Sequence, residues 1–76
     1  MRLISWGRVY SSYEKAIVES EIVINILNEF GCDILHHTII NVGGVVTFCI
    51  HFIRSENYNK IKFRKQYDEE ISLLYS

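Results

Sequence analysis

Two histidines and a cysteine fall on one side of a single hairpin in this chain of 76 residues. Asp33 to Val42, the pair Gly43-Gly44 and Val45 to Arg54 read as strand, turn and strand, because adjacent glycines supply the positive φ angles of a two-residue hairpin turn. Setting Val42 opposite Val45 fixes the register. One face then pairs Leu35 with Phe52, His37 with Ile50, Ile39 with Phe48 and Asn41 with Val46. The other pairs Ile34 with Ile53, His36 with His51, Thr38 with Cys49 and Ile40 with Thr47.

That second face gathers His36, His51 and Cys49. Directly opposed residues have Cβ atoms about 4.5 to 5.5 Å apart, so the three side chains can converge on one ion. Zinc accepts such a ligand set. A fourth protein ligand is missing, since Cys32 lies about 13 Å from His36 along an extended strand, and no CxxC or HExxH spacing is present. The favoured expectation is therefore no cofactor, with a stacked histidine pair beside a small apolar cysteine. Zinc on His36, Cys49 and His51 is the alternative.

Cysteine catalysis needs a histidine in reach, an orienting group and an oxyanion pocket, and a flat strand offers no such pocket. No GxSxG, Walker A or GxGxxG motif occurs, and Gly43-Gly44 precedes a strand, so it is turn chemistry. The chain is expected not to be an enzyme. A second constellation, Tyr58, Lys60, Lys62, Phe63, Arg64 and Lys65, with Tyr67 beyond it, interleaves charge and aromatics over 58–67 as single-strand nucleic-acid binders do. The formal net charge of -1 and the absence of RNP, KH or helix-turn-helix signatures leave that as a lesser alternative to a solvated basic face.

The elements that must position these groups follow from periodicity. Arg2 to Tyr10 alternates as a first strand, with Ile4, Trp6 and Tyr10 on one side and Leu3, Ser5, Gly7 and Val9 on the other. Ser11-Ser12-Tyr13-Glu14 fits a capping box. From there Tyr13, Ala16, Ile17, Ser20, Val23, Ile24, Leu27 and Phe30 form one stripe at helical period, and Gly31 is placed to end the helix in the left-handed conformation. Val18 and Ile22 fall opposite that stripe, as incidentally exposed aliphatics or, alternatively, a partner-facing ridge. In the tail, Asn59 to Lys65 alternates as a strand, yet Phe63, Tyr67, Ile71 and Leu74 share a helical stripe. Charge placement disfavours one helix, because lysines lead and acids trail. Intrinsic propensity favours it, and a long helix is the expectation.

Strand, helix, hairpin and helix give an α+β class: a small βαββα sandwich, ferredoxin-like in whole or in part, with the antiparallel hairpin at its centre and residues 1–76 as a single domain. Strand three is expected to be central, since Val46, Phe48, Ile50 and Phe52 make the most apolar face of the chain.

Bulk properties bound the function. A domain of this size hides only about 60% of its unfolded surface, whereas 49% of its residues are hydrophobic. A partner is therefore expected. Charge is two-ended: residues 14–33 hold five acids and one lysine, and residues 54–65 hold five bases and one acid. Two cysteines make no disulfide framework, the first residues are too charged for a signal peptide, and no apolar run is long enough for a membrane span, which points to the cytoplasm. The isoleucine, asparagine and lysine bias without proline suits an A+T-rich bacterial or viral source. If helices cover the Phe48 face, the opposite face still carries Ile34, Ile40, Val42, Val45 and Ile53 around His36, Cys49 and His51, and something must cover it. A second copy packed sheet to sheet is the simplest cover. The expected function is a non-enzymatic protein-binding module, a homodimeric adaptor, regulator or inhibitor of a larger protein.

Overall fold

A computed structural model describes residues 2–76; Met1, the first residue of the expected domain, lies outside the described residues. The order is β1 (Leu3–Tyr10), α1 (Tyr13–Glu29), β2 (Asp33–Val42), β3 (Val45–Ile53) and α2 (Lys60–Leu74). The three strands form one antiparallel sheet in the order β1-β3-β2, so β3 is central and β1 and β2 are its edges. This is an α+β topology with both helices on one side of the sheet.

The central strand is built as its sequence dictates. Val46, Phe48, Ile50 and Phe52 are buried, while Val45, Thr47, Cys49, His51 and Ile53 alternate to the other face. The hairpin closes through Gly43 at φ 59° and Gly44 at φ 84°, a pair of left-handed residues that matches the twist of the flanking strands.

The register from Val42 back to His36 is the expected one, with His36 opposite His51 and Thr38 opposite Cys49. Beyond His36 it departs. A bulge absorbs Leu35, so Ile34 pairs with Phe52 and Asp33 with Ile53. One extra residue reverses the alternation of side chains, as bulges do. Cys32 and Ile34 thereby enter the core side, and Leu35 is exposed.

Helix α1 starts one residue later than the capping box implied. Ser12 is the cap, its hydroxyl accepting from the Lys15 amide at 3.1 Å, and Glu14 is not at the position that would reach back. At the other end Gly31 adopts φ 77°, and the Cys32 amide donates to the Leu27 carbonyl. The buried stripe is Ala16, Glu19, Ser20, Val23, Ile26 and Leu27. It is rotated from the expected one, leaving Tyr13 and Ile17 exposed, because α2 lies alongside α1 and claims the Glu19, Ile22 and Ile26 side.

The tail is one helix. Asn59 caps it, its side-chain oxygen accepting from the amides of both Ile61 and Lys62. Phe63 and Tyr67 are buried under it, edge-on to Trp6 of β1 with centroids 6.1 and 5.7 Å away. Those aromatic contacts and the cap offset the unfavourable lysines of the first turn, which cost only about 0.3 to 1 kcal/mol each.

Candidate functional site

The helices leave one side of the sheet bare. Its rows run straight across the three strands: Leu3, Ile53 and Asp33; then Ser5, His51 and His36; then Gly7, Cys49 and Thr38; then Val9, Thr47 and Ile40. Val45 and Val42 close the far end beside the turn. Of these outward positions, Asp33 at one corner is the single charged one. An antiparallel sheet with one solvated face normally turns polar and charged residues to the water, whereas this face carries Leu3, Val9, Ile40, Val42, Val45 and Ile53.

A polar seam crosses the middle. The Ser5 hydroxyl is hydrogen-bonded to His51 Nδ1 at 2.8 Å, and the His36 and His51 rings stack with centroids 6.3 Å apart. Cys49 sits in the next row between Gly7 and Thr38. A Cβ at Gly7 would lie 3.6 Å from its Sγ, so the glycine leaves the thiol uncovered on the β1 side.

Most expected contact residues lie on this face: His36, Ile40, Val42 and Val45 are exposed, and Cys49, His51 and Ile53 are half-buried. Val18 is exposed on α1, away from the sheet. Two expectations are corrected. Ile34 packs against the core because of the bulge, and Ile22 packs against it because α2 flanks α1. Three residues were not singled out beforehand. Leu3 and Val9 follow from the alternation of β1, whereas Leu35 is turned outward by a bulge with no local sequence signal.

The zinc alternative sets His36, Cys49 and His51 around one ion. Among the described residues, no three His, Cys, Asp or Glu side chains come together so as to hold an ion. The ladder explains it: His36 lies beside His51, Cys49 is a row away, and His51 Nδ1 already bonds Ser5. In the segment of the nucleic-acid alternative, Tyr58, Phe63 and Tyr67 turn inward and are 7%, 2% and 1% exposed, while Lys60, Lys62, Arg64 and Lys65 turn outward. The half-buried aromatic beside Lys60, Arg64 and Lys65 is Trp6 of β1.

A second polar cluster, at the join of the two helices, had no signature in the sequence. The Glu19 carboxylate, 4% exposed, accepts from Tyr67 Oη at 3.0 Å and Tyr75 Oη at 2.6 Å, and Tyr10 Oη lies 3.4 Å from Tyr67 Oη. Burial, then the Tyr10 and Glu19 contacts, holds the Tyr67 phenol far above its ordinary value. The bond to Glu19 pushes Tyr75 up to about 12. The cluster ties α2 and the C-terminal tyrosine to α1 and β1, which is a structural task.

Compared with known proteins, the chain matches no family model, no curated protein and no solved structure. None of the helices among the described residues is long and apolar enough to cross a membrane.

Proposed function

We propose that this domain is a non-enzymatic protein-binding module that acts as a homo-oligomer, an adaptor, regulator or inhibitor of a larger protein, and that a second copy covers its bare sheet face. The observation that carries the reading is the near absence of charge from that face, with Leu3, Val9, Ile40, Val42 and Val45 all exposed on it. Two such faces are self-complementary about a two-fold axis, apolar ends against apolar ends and the serine-histidine seam at the middle. The topology reads as ferredoxin-like without a closing strand.

Substituting Ile40→Lys together with Val45→Lys adds charge to both copies without touching the core, since both residues are exposed. Sedimentation should show the wild type self-associated and the double variant reduced to a smaller species. A wild type that sediments as a monomer at micromolar concentration overturns the reading.

A further inference from the structure

The sheet also ends abruptly at β1. This edge strand pairs on one side only, with β3, and keeps one register over all eight residues, whereas the other edge strand, β2, carries a bulge. Regular, unbulged edges are the ones competent for further pairing. Helix α2 packs on β1 through Trp6, and a groove of about 1200 Å³ runs between the side of α2 away from α1 and the edge of the strand. Ile4 and Trp6 line it from the strand, and Ile61, 80% exposed, and Leu73, 70% exposed, line it from the helix.

The charges along the helical side of this groove are sorted. Arg64 and Lys65 come from the first half of α2, and Asp68 and Glu69 from the second. Arg64 reaches Asp68 of its own helix only at 4.0 Å, with both side chains about two-thirds exposed, so these charges are little used within the chain. A stripe that is basic in one half and acidic in the other is complementary to itself when two helices run antiparallel. Arg64 and Lys65 then face Asp68 and Glu69 of a second copy, and Ile61 approaches the Leu73 end.

We propose that β1 is a second self-association edge. Two copies pair β1 to β1 antiparallel about an axis perpendicular to the sheet, making one six-stranded sheet from two sets of three strands, with the two α2 stripes closing the merged grooves above the seam. The edge axis is perpendicular to the sheet, and the axis of a face-to-face pair lies parallel to it. Where the two axes cross, the two operations combine into a closed tetramer of two six-stranded sheets. The edge contact itself does not depend on the face contact.

The test is a charge swap read by sedimentation. An Arg64→Glu/Lys65→Glu chain is acidic along the whole stripe, and an Asp68→Lys/Glu69→Lys chain is basic; all four positions are exposed, and circular dichroism checks that helix content is kept. Each variant alone should have half the wild-type mass, and an equimolar mixture should restore it by pairing acidic with basic copies. Variants that keep the wild-type mass, or a mixture that fails to restore it, overturn the proposal. The two contacts separate cleanly: without the face contact the wild type is a dimer and each swapped chain a monomer, whereas without the edge contact the swapped chains and the wild type are the same size.

Discussion

The hydroxyl of Tyr67 donates to the buried carboxylate of Glu19 across 3.0 Å, joining the middle of α2 to the first half of α1. An acid in the core needs such partners, because an unpaired buried charge is strongly destabilising. Tyr67→Phe removes one of the two phenols that serve Glu19 and keeps the ring. Hydrogen bonds to charged groups contribute about 1.5 to 3 kcal/mol, so we expect a loss of that size in urea unfolding with an unchanged m-value. Tyr75→Phe, at a half-exposed position, should cost distinctly less.

The same cluster predicts an alkaline limit to stability. Tyr67 and Tyr75 are raised from the ordinary value of 10.0, Tyr75 to about 12 and Tyr67 further. A group that holds its proton more tightly when folded adds stability that is fully present below pH 10 and is lost as pH rises toward and through the folded value. Thermal unfolding from pH 7 to 12 should show a melting temperature that drops above pH 10. In Tyr67→Phe that alkaline drop should be shallower. A wild-type curve flat to pH 12 contradicts the assignment.

Gly31 tests the join between α1 and the hairpin. Its φ of 77° is left-handed, and a Cβ there would meet nothing closer than the Ser55 Cβ at 3.9 Å. The cost of Gly31→Ala is thus backbone strain without a clash, about 1 to 2 kcal/mol. Chemical denaturation measures it directly. An Ala variant as stable as wild type would mean the helix ends differently.

A fixed charge in the polar seam should weaken association. His36 and His51 stack in the middle of the proposed contact face, with Ser5 of β1 beside His51; the outward carboxylate of the sheet, Asp33, pairs with Ile53 at the corner. Burying an unpaired charge is costly, so His36→Lys, at an exposed position, should lower the association constant measured by sedimentation. An assembly indifferent to this substitution would remove the histidines from the contact.

Elements with a strong local signal were legible in the chain itself. The glycine pair set the hairpin and its register from Val42 to His36, the alternation of Val46, Phe48, Ile50 and Phe52 marked the central strand, and Gly31 marked the end of α1. These depend on backbone conformation and on period, which neighbouring residues carry. The Leu35 bulge, the rotation of α1's buried stripe toward Glu19, and the inward turn of Tyr58, Phe63 and Tyr67 were decided by tertiary packing. In each case two elements compete for the same core space. Ile34 and Cys32 enter it only if the strand slips by one residue, and α1 faces wherever α2 settles. Hence His36, His51 and Cys49 could be placed on one face and in their rows from sequence, while the bond from Ser5 of β1 to His51 and the bare state of that face came only from the assembled sheet.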